Sequence, residues 1–408
     1  MPPTLATVVA THGPTDSALS RLNVVERQYI NHLKKRERSA LLRTLTDDAP
    51  NFKRTAATPL RIQVLQSKLP NRMTIFEDLQ MGASPKYIQW VRKALQLPLQ
   101  CHHTPSYSKG VNTNDGVNIA RGHMDASTTG NDHMKHEVLK LVCQQMAGGT
   151  CASAYSIGLE GPPGTGKTHF VKTGMAPALD RPIVEIKLGG ATDASFLLGT
   201  VYTYEGSKEG RLAAALMEAR CCNPILYFDE VDKVSETDRG HEIISILIHL
   251  IDPTANTEIR DRYFHDIDLD FSMCTFVFSF NDASRVSPVL LDRMKVLRIP
   301  MPCMSERRDI IQRHLIPRVQ TRLKTPLVLS VSAVESIVQR STDDNSGMRG
   351  AEKDIDHVLS TAQLSVMCGT SLTAEVLNDE GELTTEFVMR CIGTREVVDG
   401  QPPSMMYT

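Results

Sequence analysis

Most features that would assign a chain to a specialised class are scarce or missing in this sequence. Of its 408 residues one is a tryptophan, and only 5% are aromatic. No apolar run approaches the roughly 20 residues a membrane-spanning helix needs, and the longest, such as 243–251, is interrupted by polar residues. No Lys or Arg precedes Arg21, so neither a secretory n-region nor an Arg-rich transit peptide is visible. The nine cysteines form no C-x-x-C pair, which speaks against a zinc site or disulfide framework and for reduced thiols in a cytosol-like compartment. Cys101-His102-His103 has metal-capable side chains, but adjacent residues point apart and no second cluster has suitable spacing. The net charge of −2 argues against a whole-chain grip on nucleic acid or an anionic membrane. What is present, 41% hydrophobic and 23% charged residues, is ordinary, and the length suits two or three domains.

Residues 1–20 read as a flexible leader and 21–103 as an N-terminal helical region. Within it Leu33, Leu41, Leu42 and Leu45 lie among Lys34, Lys35, Arg36, Glu37 and Arg38, an amphipathic pattern with a mixed-charge face. Pro70 and Ser84-Pro85 divide the stretch 59–99 into short helices. Residues 104–130 are rich in Ser, Thr, Asn, Gly and Asp and are expected to be a linker or mobile loop. Then the pattern alternates. Apolar runs at 155–159, 183–188, 225–228 and 274–280, with a fifth at 296–299, are each followed by a turn, and all but the last then by a helical stretch, as buried parallel strands are. This predicts an α/β domain over 131–303. Helical patterns at 307–323, 331–340 and 350–366 predict a small helical domain over 304–370, followed by a tail, 371–408.

Just after the first predicted strand, Gly161-Pro162-Pro163-Gly164-Thr165-Gly166-Lys167-Thr168 fits G-x-x-x-x-G-K-[ST]. Glycines let successive backbone N–H groups turn inward toward phosphates, and the helix start adds its positive end. Lys167 suits the β- and γ-phosphates of ATP, and the Thr168 hydroxyl suits Mg²⁺. The third predicted strand ends in Asp229-Glu230, which supplies a carboxylate for Mg²⁺ and a second one to polarise a water. The fourth ends at Asn281, whose amide suits orienting that water. Together they point to ATP hydrolysis.

With these motifs the chain resembles the AAA+ ATPases, and among them the ATPase part of the Lon family. The resemblance runs through Leu188-Gly189-Gly190, Thr203-Tyr204 with Gly206, Phe228-Asp229-Glu230-Val231-Asp232-Lys233, Leu250-Ile251-Asp252-Pro253, Leu290-Leu291-Asp292-Arg293-Met294 and Gly347-Met348-Arg349. The forms Gly189-Gly190-Ala191-Thr192-Asp193 and Thr203-Tyr204-Glu205-Gly206-Ser207 look most like Lon-like ATPases of large DNA viruses of protists. The resemblance implies a P-loop NTPase fold with a parallel five-stranded sheet and a helical lid. It also implies an arginine finger at Arg293 that acts on a neighbouring subunit of a homo-hexamer, a nucleotide sensor at Arg349, and a pore aromatic at Tyr204 that grips substrate polypeptide. Glu205 stands where Lon proteins usually carry an aliphatic residue, and Val201-Tyr202 replaces a basic pair. The stretch after Arg349 has no G-P-S-A-G-like loop, so peptidase activity is not expected of this chain.

The resulting expectation is a Mg²⁺-ATP-dependent ATPase that remodels or unfolds proteins, with a separate peptidase or adaptor as a further partner. Its location would be the cytoplasm, or a viral factory if the chain is viral. A nucleic-acid motor or replication accessory, using Lys34–Arg38, is the alternative. A nucleotide-gated scaffold ranks third, because the hydrolytic set looks intact.

Overall fold

The computed structural model describes residues 60–65, 67–106, 113–147, 155–191, 193–234, 237–343, 347–367, 376–378 and 381–399, with Glu26, Gln28 and Ile30. The leader and the basic stretch Lys34–Arg38 lie outside the described residues. The chain divides into two compact units that cut across the contiguous boundaries expected from the sequence. One takes Thr104–Thr192, Pro224–Asp252 and Met273–Thr408; the other takes Met1–His103, Asp193–Asn223 and Pro253–Ser272.

The first unit holds a five-stranded sheet: β1 (Tyr155–Glu160), β2 (Ile183–Lys187), β3 (Ile225–Asp229), β4 (Thr275–Phe280) and β5 (Lys295–Arg298). All pairings are parallel, in the order β2-β3-β4-β1-β5, which is the expected α/β P-loop fold. Every residue of β4 is buried, as the unbroken apolar run Thr275–Phe280 requires of a central strand. Tyr227 lies opposite Val277, and Phe228 opposite Phe278. Because successive residues alternate faces, Tyr227 and Val277 join Ile157, Leu159, Met124 and Val138 in one core. Phe228 and Phe278 stack on the other face, 5.0 Å apart.

The expectation of a linker over 104–130 is corrected, because Thr113–Ser127 is a helix. Its apolar stripe is sparse, but Val117, Ala120 and Met124 fall at helical spacing and pack into that same core. Burial, rather than propensity, supports a helix that contains Gly116, Asn118 and Gly122.

The helices Met304–Ile310, Ile316–Leu323, Val331–Asp343 and Met348–Met367 build a separate core within the same unit, through Ile311, Val319, Ile337, Ile355 and Leu359. The tail expected after 370 is also corrected. Leu383, Phe387, Val388 and Ile392 enter this core, the last three from the helix Thr385–Asp399.

In the second unit, the helix Pro85–Ala94 begins with Ser84, whose hydroxyl accepts from Tyr87 N at 3.2 Å, and with Pro85 at its first position. Its buried Trp90 donates from Nε1 to the Tyr263 carbonyl at 2.8 Å, and Lys93 pairs with Glu209. The carboxylate of Asp261 accepts from the backbone N–H of Gly210 (2.8 Å), Tyr263 (2.8 Å) and Phe264 (3.3 Å), tying two distant segments together.

Candidate active site

The site forms where β1, β3 and β4 end. Gly161 leaves β1 so close to Ile299 that a Cβ would sit 2.4 Å from its carbonyl oxygen. Gly166 has φ 88°, a left-handed conformation that glycine adopts without penalty, and the next residue opens the helix that starts at Lys167. The Lys167 ammonium donates to Gly161 O (2.5 Å), Pro162 O (3.0 Å) and Asn281 Oδ1 (2.9 Å). Burial pushes its pKa down, Asp229 and Asp232 oppose this, and Arg349 adds to the depression.

The Thr168 hydroxyl lies 2.9 Å from the Tyr227 hydroxyl, which donates to Asp229 Oδ1 at 3.1 Å. Ser279 Oγ and Glu230 N donate to the same Oδ1. Asp229 Oδ2 thus has no partner among the described residues. A free carboxylate oxygen beside a hydroxyl is an all-oxygen donor pair, which fits Mg²⁺ bound mainly through phosphate and water. No group of three or more His, Cys, Asp or Glu residues suited to a metal occurs among the described residues.

Glu230 has φ 61°, a left-handed backbone that costs a non-glycine residue about 1–2 kcal/mol. Its Oε2 lies 2.1 Å from where a Cβ on Gly189 would stand, so a side chain there would displace this carboxylate. Asn281 is held through its backbone N–H, which donates to Asp232 Oδ2 at 3.1 Å. The other oxygen of the buried Asp232 has no partner among the described residues.

These groups line one cavity of about 280 Å³, together with Pro163, Gly164, Thr165 and, from the helical part, Arg349. Arg349 is exposed and forms no salt bridge among the described residues. Met348 N donates to Gly164 O at 3.3 Å. Arg293 and Tyr204, which the resemblance assigns to a neighbouring subunit's site and to a substrate pore, do not line this cavity. Arg293 is ion-paired with Asp252, and Tyr204, 69% exposed, belongs to the other compact unit.

The buried Tyr227 and the lining residues Ser279 and Asp232 hold the phosphate-site residues in place. At another part of the wall, His169 Nε2 meets Ser127 O at 3.2 Å and Arg318 reaches His169 Nδ1 at 3.2 Å, while His314 lies 3.4 Å from the Thr129 hydroxyl. Burial and the Arg318 charge push the pKa of both histidines down. Asp232 carried a signal, as the third acid of the Asp229–Asp232 run; the others carried none.

Residues 157–301 match the family described as "ATPase family associated with various cellular activities (AAA)". Among curated proteins, a Lon protease homolog of Acanthamoeba polyphaga mimivirus is 32% identical over 246 residues, covering 59% of this chain and 24% of that protein. A mitochondrial Lon protease homolog of Scheffersomyces stipitis is 29% identical over 293 residues, covering 71% and 25%. A Lon protease of Ureaplasma parvum is 28% identical over 346 residues, covering 83% and 40%. The chain therefore spans only about a quarter to two fifths of the relatives it matches.

Proposed function

Because the chain belongs to the AAA ATPases, as an ATPase of the Lon family, we propose that it hydrolyses Mg²⁺-ATP to remodel or unfold polypeptides. The observation that carries this reading is the convergence of Lys167, Asp229, Glu230 and Asn281 on one cavity beside a glycine-rich loop. A pure nucleotide-binding site has no use for a second carboxylate next to Asp229.

In this reading the Lys167 ammonium turns from the Gly161 and Pro162 carbonyls to the β- and γ-phosphates. The Thr168 hydroxyl and Asp229 would hold Mg²⁺, which would supply positive charge against the phosphates. Glu230 takes the proton of the attacking water, and Asn281 orients that water while remaining anchored to Asp232. Arg349 senses the γ-phosphate from the lid. Arg293 leaves Asp252 to serve the site of a neighbouring copy in a homo-hexamer, adding positive charge as the transition state forms. The exposed Tyr204 supplies the grip on substrate polypeptide. Free cysteines fit action in a reducing cytoplasm.

The test is steady-state ATP hydrolysis by the wild type and Glu230→Gln, each with and without an unfolded polypeptide such as casein. Glu230→Gln is expected to lower turnover by about 10²–10⁴-fold while nucleotide still binds. Casein is expected to raise wild-type turnover, and Tyr204→Ala to remove that rise. Turnover indifferent to casein would reject the remodelling role, and a wild type that binds ATP without turnover would reject the hydrolytic one.

A further inference from the structure

A second cavity, of about 140 Å³, lies wholly within the unit that contains Trp90. Four rings line it. Tyr87 and Trp90 stack with centroids 5.6 Å apart and planes 11° from parallel. Tyr202 and His265 stack at 5.8 Å and 13°. The two pairs meet where Trp90 and Tyr202 tilt against each other at 6.0 Å. Trp90 is pinned by its bond to the Tyr263 carbonyl, so this wall is rigid.

The charge of the lining is one-sided. Asp78 and Asp266 contribute carboxylates, and neither Lys nor Arg lines the cavity. Asp78 accepts from the Tyr87 hydroxyl at 3.1 Å and has no cationic partner among the described residues. Asp266 is within 3.1 Å of His265 and likewise meets no Lys or Arg. Ring faces attract cations, and the half-buried Tyr87 and Tyr202 offer theirs, with the buried Trp90 behind them.

We propose that this cavity binds one cationic side chain, the guanidinium of arginine or the ammonium of lysine, between the aromatic walls and the two carboxylates. That the cation belongs to a substrate polypeptide rests on the remodelling reading; the affinity for the cation does not. Tyr202 stands two residues before the exposed Tyr204, so a filled cavity fixes the segment that carries that ring.

Trp90 is the only tryptophan of the chain, so its fluorescence reports on this cavity. The full chain is titrated with blocked Gly-Arg-Gly, Gly-Lys-Gly and, as the neutral isostere, Gly-citrulline-Gly. The expected result is a saturable change with an Arg or Lys peptide, with the citrulline peptide at least about tenfold weaker. Asp78→Asn and, separately, Asp266→Asn should weaken the cation by a similar factor with far-UV circular dichroism retained. Equal response to citrulline, no saturable response, or unaltered binding in both variants would overturn the proposal. If casein still stimulates hydrolysis while the titration is flat, the cavity proposal fails and remodelling stands. Saturation without casein stimulation has the opposite meaning.

Discussion

Two buried carboxylates, one in each compact unit, are held in opposite ways. In the unit with the phosphate loop, burial alone would raise the pKa of Glu137. Lys140, at 2.8 Å, and Lys295 more than reverse this and hold it at about 2. In the other unit Asp261 has three backbone donors but no cation, and burial pushes it up to about 6. The first unit is built mostly from strands and helices that follow one another in the chain. Both units are assembled from three segments, and in the second Asp261 joins the backbones of two of them.

The largest test of this contrast is Trp90→Ala. It removes a ring that is 3% exposed and leaves the Tyr263 carbonyl unpaired, for an expected loss of about 3–5 kcal/mol. Peptide-resolved hydrogen exchange should show protection falling across 60–103, 193–223 and 253–272 while β1 and β4 stay protected. An equal fall in both units would break the distinction.

A smaller effect comes from pH. The folded pKa of Asp261 lies above the unfolded one, so the folded form binds the extra proton. Its contribution is full below about pH 4 and lost as pH rises through 6, a change of order 3 kcal/mol at most. Glu137 runs the other way, because its contribution is present above its unfolded pKa and fades as pH falls toward 2. Urea unfolding followed by Trp90 fluorescence should therefore show the Asp261 unit gaining stability from pH 7 to 4.5, and Asp261→Asn should flatten that slope.

The smallest expected effect is at Tyr227. Tyr227→Phe keeps the ring in the core but removes the hydroxyl between Thr168 and Asp229. A loss of about tenfold in Mg²⁺ dependence of nucleotide binding is expected, with little change in stability. Unchanged Mg²⁺ dependence would mean that the bridge positions nothing.

The same contrast explains what could be read from the sequence. Gly161–Thr168, Asp229-Glu230 and the strand pattern were legible because a phosphate loop and buried parallel strands constrain neighbouring residues directly. Tyr227 and Ser279 were not, since each looks like an ordinary strand residue until β3 and β4 lie side by side. The helix Thr113–Ser127 was hidden by its glycines and asparagines, and its three apolar residues acquire meaning only against the sheet. Nor does spacing reveal that Trp90 and Tyr202, more than a hundred positions apart, share one cavity.

The contact between Met348 N and Gly164 O joins the start of a lid helix to the backbone of the phosphate loop. Gly347 makes this approach feasible, since a Cβ there would lie 3.0 Å from Pro163 O. If the chain turns over ATP as proposed, an outward swing of this helix would break that bond, so the phosphate loop would register the movement through its own backbone.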